Sequence, residues 1–286
     1  MSQSTLLDTE HLKSFIENAL KEDIGSGDHS SMSCIPEDSR GSAQLLVKEN
    51  GILAGVELAT MIFNQFDPTL ELNVFIEDGA QVNVGDVAFT VSGSKRSILA
   101  TERLVLNCMQ RMSGIATQTR KMIDLMGETN TKILDTRKTT PGMRIIEKWA
   151  VRIGGGYNHR FGLYDMIMLK DNHIDFAGGI QKTIEQVVSY CKQNNLDIPI
   201  EVEVRNEQEL NEVIQVGKVQ RIMLDNFTPD QIRKVIPMIP KHFETEASGG
   251  ITERTIADYA QTGVDFISVG AITHSVKSLD LSLKAF

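Results

Sequence analysis

Five residues in the middle of the chain combine the types and spacing needed to hold a highly anionic molecule. Arg137 and Lys138 follow the apolar run TKILDT, His159 and Arg160 follow the glycine triplet Gly154-Gly155-Gly156, and Lys170 ends the run MIMLK. Like charges about 5 Å apart repel by on the order of 3 kcal/mol at an effective dielectric near 20. A cluster of fixed cations is therefore costly when empty, which points to a multiply anionic ligand. Arginine also matches carboxylate and phosphate by forked hydrogen bonding. The plain alternative is a set of solvated surface charges. The coincidence of these positions with the ends of apolar runs argues against it.

A second group of residues suits a sugar phosphate. Glu201 and Glu203 alternate with Val202 and Val204 in IEVEV and so share one face of a strand, while Asp225 ends RIMLDN. If that face looks into a site, these carboxylates suit ribose hydroxyls or a magnesium ion; the plain alternative is salt bridging to the basic residues. Ser248-Gly249-Gly250 and Val269-Gly270-Ala271 each precede a helical pattern, where glycine lets backbone N–H groups approach an anion. His274 lies beside the second of these loops as a candidate phosphate donor. His29 reads as a loop residue, His11 and His242 as surface or packing residues, and Trp149, Met109 and Met112 as core.

The elements that must position these residues are legible from periodicity. A helix is expected over 9–21, capped by Thr9, with Leu12, Phe15, Ile16, Ala19 and Leu20 at helical spacing. Residues 42–93 carry short alternating runs broken by Gly, Asn and Asp, the pattern of antiparallel strands. Within them DGAQVNVGDVAFTV is superficially like a biotinyl or lipoyl carrier hairpin, but no lysine occupies its turn. A helix follows over 101–126. Strand-like runs then come at 131–136, 166–170, 200–204, 221–226, 243–248 and 266–270, the later ones alternating with helices that start at Thr228-Pro229 and at Thr252. Repeated β/α units imply a parallel sheet with helices outside, closed most economically as a barrel whose site lies at the carboxyl ends of the strands.

Composition narrows the class. The chain is 41% hydrophobic and 23% charged, ordinary for a globular protein. Its formal net charge of −9 argues against nucleic-acid binding through a broad basic face. The three cysteines, Cys34, Cys108 and Cys191, form no metal or disulfide pattern, which fits a reducing cytoplasm. The opening MSQSTLLDTEHLKSF lacks a basic stretch followed by an apolar one, so no secretory leader is expected, and no apolar run is long enough for a membrane span.

The segments EDIGSGDHSS, ERLVLNCMQRMSGIAT, DTRKTTPGMR, IGGGYNHR, MLKDNH, EVEV, LDNF, SGG and SVGAITHS, in this order and from about residue 17 onward, resemble the quinolinate phosphoribosyltransferase family. The resemblance implies an N-terminal α/β sandwich over 1–115, with 274–286 a candidate to return to it, and an open seven-stranded α/β barrel over 116–273. It implies a homodimer in which Arg103 reaches the partner's site. By the same resemblance Arg137, His159, Arg160 and Lys170 match a pyridine dicarboxylate pocket, and Lys138, Glu203, Asp225, Ser248, Gly249, Gly270 and His274 match the phosphoribosyl diphosphate side. Glu203 and Asp225 are the expected magnesium ligands, and Lys138, Glu203 and Asp225 the expected catalytic residues; Glu201 stays open. The implied reaction converts quinolinate and phosphoribosyl diphosphate to nicotinate mononucleotide, pyrophosphate and carbon dioxide. Competing readings are a related transferase acting on nicotinate or another anionic base, a Schiff-base aldolase using Lys170 or Lys138, and a non-catalytic anion-binding protein.

Overall fold

The computed structural model describes residues 9–286; the first half of the segment read as leader-free lies outside them. In chain order the elements are α1 (Thr9–Ile24), α2 (His29–Cys34), β1 (Arg40–Val47), β2 (Gly51–Ile52), α3 (Val56–Phe66), β3 (Glu71–Val74), β4 (Gln81–Val82), β5 (Val87–Ser94) and α4 (Lys95–Met126). Then come β6 (Lys132–Leu134), α5 (Arg144–Ile153), β7 (Ile167–Leu169), α6 (Asp171–Ala177), α7 (Ile180–Gln193), β8 (Ile200–Val204) and α8 (Glu207–Val216). The chain finishes with β9 (Arg221–Asp225), α9 (Pro229–Val235), β10 (Glu244–Ser248), α10 (Ile256–Ala260), β11 (Phe266–Ser268), α11 (Ala271–His274) and β12 (Leu281–Ala285). These form two compact units, one of residues 9–120, 139–155 and 272–286, the other of 121–138 and 156–271.

In the first unit an antiparallel sheet runs in the order β12-β1-β5-β3. Alternation along β1 buries Ala43, Leu45 and Val47, and β5 adds the buried Phe89 and Val91. Helix α3 lies on that apolar face, with Phe63 meeting Phe89 edge to face at 6.2 Å between ring centroids. The last strand, β12, pairs antiparallel with β1 from Ala43↔Ala285 to Val47↔Leu281, so the C-terminus completes a sheet begun about 240 residues earlier. Helix α4 is where that return crosses. The Gln110 carbonyl accepts from Leu279 N–H at 3.0 Å, and a Cβ at Gly114 would collide with the Lys277 carbonyl.

The second unit holds a six-stranded parallel sheet in the order β6-β11-β10-β9-β8-β7, and an isolated parallel bridge joins Leu134 to Tyr157 outside β6. All six strand-like runs of the sequence are strands. One face is apolar: Val202, Val204, Ile222, Leu224, Ala247 and Ile267 are fully buried, as are Leu210 and Val213 of α8, Ile232 of α9 and Ile256 of α10. Helix α9 starts as read, with Thr228 and Gln231 exchanging bonds in a capping box ahead of Pro229. Helix α10 starts later than read: Thr252 first makes a turn, its N–H bonding to Thr255 Oγ1 at 3.0 Å, and Thr255 precedes the helix. The long helix expected from 101 begins at Lys95, directly after β5. Segment 139–155, which the sequence reading put in the barrel, groups with the first unit.

The crossing at Gly114 gives a direct check. Gly114→Ala is expected to lower stability by about 1–3 kcal/mol because the added methyl meets backbone rather than a movable side chain. Urea unfolding with an unchanged midpoint would remove this contact from the packing of the C-terminal return.

Candidate active site

The opposite face of the parallel sheet is ionic. Alternation puts Glu201 and Glu203 of β8, Arg221, Met223 and Asp225 of β9, Glu246 and Ser248 of β10 and Ser268 of β11 on this side. Acidic side chains are almost never fully buried unless paired. Here Glu201 and Glu246 are fully buried, and Glu203 and Arg221 nearly so.

His159 sits among these acids. Its Nε2 lies 3.0 Å from Glu201 and 3.4 Å from Glu246, and Arg221 Nη1 donates to Glu246 at 3.1 Å. The turn that delivers His159 is pinned by Asp135, a fully buried carboxylate that accepts from His159 N–H at 2.8 Å and from the Asn158 amide. Burial opposes a charged His159 ring, but Glu246 and Glu201 outweigh it and push the imidazole up to about 9. Burial and the Glu246 charge raise Glu201 to about 7. Burial alone would raise Glu246 as well, yet His159 and Arg221 hold it below the ordinary range. With His159 charged, two cations balance two carboxylates. The sequence reading placed His159 with the ligand-facing cations; the structure spends its charge on Glu201 and Glu246 and leaves it 7% exposed.

Nearer the strand ends a buried acid meets an exposed cation. Lys170 Nζ contacts Glu203 Oε2 at 2.6 Å, so two residues expected on different sides of the ligand are an ion pair here. Glu203 pairs in register with Met223, and Asp225 lies two residues further along the same face of β9. Both acids are hard oxygen donors on one face of neighbouring strands, the ligand type that suits magnesium. Arg160 is half-buried and donates to the Met166 carbonyl at 3.2 Å; burial and the nearby Arg137 charge both lower its pKa, so these arginines share one neighbourhood. Arg137 and Lys138 are exposed.

The loop after β10 is built on a close approach. Gly249 has φ +98°, and a Cβ there would collide with the Asn226 side chain, whose own residue sits at φ +56°. Asn226 N–H bonds to the Ser248 carbonyl at 2.8 Å, locking the ends of β9 and β10 together. Gly270 is half-buried at the end of β11. In the first unit Arg103 is exposed on α4, and His274 is exposed with Nδ1 2.7 Å from Ser275 Oγ. The sequence reading passed over Glu246 and Arg221. The available signal was the same as for Glu201, an ionic residue alternating with buried apolar ones in a strand.

Comparison with known proteins decides the family. Models for the N-terminal and C-terminal domains of quinolinate phosphoribosyl transferase match residues 28–113 and 115–284. The chain belongs to the quinolinate phosphoribosyltransferase family. A family member from Nicotiana tabacum, named quinolinate phosphoribosyltransferase [decarboxylating] 1b, is 47% identical over 96% of this chain and 83% of its own. A probable nicotinate-nucleotide pyrophosphorylase [carboxylating] of Bacillus subtilis is 43% identical over 95% of this chain and 92% of its own. The crystal structure of NadC from Streptococcus pyogenes superposes with a TM-score of 0.91 at 38% identity, covering 98% of this chain and 99% of that one. Among the described residues, no helix is long and apolar enough to cross a membrane.

The ionic cluster makes stability pH-dependent. A His159 pKa raised from 6.5 to about 9 means that its contribution is complete below about pH 6.5 and is lost as pH rises through 9. Glu201, raised to about 7, acts in the same sense at lower pH. Folding stability is expected to fall between pH 6.5 and 9 with a slope of up to about 1.4 kcal/mol per pH unit for each proton concerned. Replacing His159 by Asn should flatten that slope. Urea midpoints across this range that do not fall in the unsubstituted protein would contradict the assignment.

Proposed function

We propose that the chain transfers the phosphoribosyl group of phosphoribosyl diphosphate to quinolinate and releases one carboxylate as carbon dioxide, giving nicotinate mononucleotide and pyrophosphate. The names of the relatives support this, and the observation that carries it is the Arg137–Arg160 neighbourhood at the edge of a buried acidic face. Paired guanidinium groups suit a ring with two carboxylates, while Glu203 and Asp225 suit the electron-poor ribose of a transfer reaction.

In this reading Arg137 and Arg160, with Lys170, hold the dicarboxylate, and Arg103 is contributed by the partner subunit of a homodimer. His159, neutralised by its acids, orients the Arg160 turn and meets the ring. The pyridine nitrogen attacks ribose C1 as the C1–oxygen bond to pyrophosphate breaks. Lys138 stabilises the departing charge; Glu203 and Asp225 hold the ribose and favour its cationic character. Magnesium, held by Glu203 and Asp225, would supply further neutralisation of the diphosphate. Ser248, Gly249 and Gly270 receive the 5′-phosphate and its neighbours. The ribosylated ring is cationic, so the carboxylate beside nitrogen leaves as carbon dioxide and the ring carbon takes up a proton. The parallel sheet, extended by the Leu134–Tyr157 bridge, supports the open seven-stranded barrel of this reading. The free thiols of Cys34, Cys108 and Cys191 support a reducing, cytoplasmic setting.

Incubation with quinolinate, phosphoribosyl diphosphate and magnesium should yield carbon dioxide and nicotinate mononucleotide. Turnover of nicotinate without gas release would shift the assignment to a mononucleotide transferase of the simpler base. Arg137→Ala should weaken quinolinate binding by about 2–3 kcal/mol, the scale of a charge-assisted contact, and spare phosphoribosyl diphosphate. Equal losses in calorimetric titrations with the two ligands would remove Arg137 from the dicarboxylate pocket. Glu203→Ala should lower turnover by roughly a hundredfold with quinolinate affinity retained, the scale of a lost transition-state contact; unchanged turnover would take Glu203 out of the chemistry.

A further inference from the structure

Arg111 and Glu147 carry no role in the chemistry above, yet they form an ion pair with several further partners. Glu147 is fully buried within α5, between the buried Ile146 and Lys148. Arg111 reaches it from α4 with two donors, Nε at 3.1 Å and Nη2 at 2.9 Å, both onto Oε1. The other carboxylate oxygen accepts from the Thr140 backbone N–H at 3.2 Å. Arg111 also donates to the carbonyls of Thr273 and Val276, the latter at 3.3 Å. One pair, its acid buried and its arginine partly exposed, thus grips two separate segments. The first begins at Thr139, next in the chain to Lys138, and is fastened again by Arg144 Nε on Thr139 Oγ1 at 2.9 Å. The second is the end of α11 and the residues that follow it, Thr273 to Val276, and contains His274.

Stability alone does not call for this arrangement. A buried ion pair is about neutral for folding relative to apolar residues of the same size, and α5 already has Ile145, Ile146, Trp149 and Ala150 to pack. The pair does supply geometry, because both carboxylate oxygens and three guanidinium nitrogens are committed, mostly to main-chain groups of loops. We infer that Arg111 and Glu147 are positioning residues for phosphoribosyl diphosphate: through the Thr140 N–H they set the segment that continues from Lys138. This rests on the proposed reading that Lys138 binds that substrate.

The test is a double-mutant cycle on the full-length protein, with Glu147→Gln, Lys138→Ala and the double variant titrated calorimetrically with each ligand. Glu147→Gln keeps the side-chain shape and removes the charge. It is expected to weaken phosphoribosyl diphosphate about tenfold, the scale of one charge-assisted bond, with quinolinate affinity within about twofold. In the Lys138→Ala background the same change should cost about threefold or less, because the loop it positions no longer carries the lysine. Equal weakening of both ligands, or losses that simply multiply, would overturn the inference and leave a purely structural pair. If Lys138→Ala by itself leaves phosphoribosyl diphosphate affinity unchanged, the underlying reading of Lys138 fails instead. If Glu147→Gln does not fold, Arg111→Lys, which keeps the charge and loses the fork, carries the same expectation and the same overturning result.

Discussion

The organisation of the second unit depends on neutralising charge inside a parallel sheet. Glu201 and Glu246 are fully buried carboxylates on adjacent parts of one face, a placement that isolated acids do not tolerate. Arg221 and His159 make it tolerable, one from the beginning of β9 and the other from a turn beyond α5. The arrangement is specific in a way an apolar core is not. Each carboxylate must meet a cation at about 3 Å, so strand register, the Asp135-held turn and the sheet order are all constrained together. Arg221 is held from below as well, since its guanidinium stacks 4.2 Å from the Phe266 ring and pairs with Glu244.

That neutral floor lets the strand ends above it differ in charge. Moving along β8 by two residues leads from Glu201, which is sealed, to Glu203, which meets the accessible Lys170. Moving along β9 leads from Arg221 to Asp225, and along β10 from Glu246 to Ser248 and the Gly249 turn. Depth therefore separates sealed ions from the exposed Lys170 on the same face. The proposed chemistry draws on the outer layer, and the inner layer fixes where that outer layer stands.

The first unit contributes by a different means. Its antiparallel sheet is closed by β12, and one turn of α4 receives the returning chain through Gln110, Arg111 and Gly114. These three residues lie at helical spacing on one face, with each handling a different group of the returning chain: a carbonyl and amide exchange, bonds to the Thr273 and Val276 carbonyls and a close backbone approach. The reach of Arg111 to Glu147 and its two loops makes the same turn relevant to substrate. Packing and positioning share residues here.

Much of this was determined by the sequence alone. Period-two alternation in IEVEV and RIMLD, the Thr228-Pro229 start and the polar strand ends identified the parallel units, their apolar face and the residues at their carboxyl ends, because periodicity and capping are local properties. The family motifs identified the chemistry in the same way, through short contiguous patterns. What the tertiary structure decided was pairing. Alternation says that Glu201 faces one side of its strand, but only register across β8, β9 and β10 brings it to His159 and sets Arg221 on Glu246. The same limit hid the Arg111–Glu147 pair, whose members lie on different helices and are ordinary in their local sequence. It also hid the partners of His159, because the two buried acids that hold it lie far along the chain.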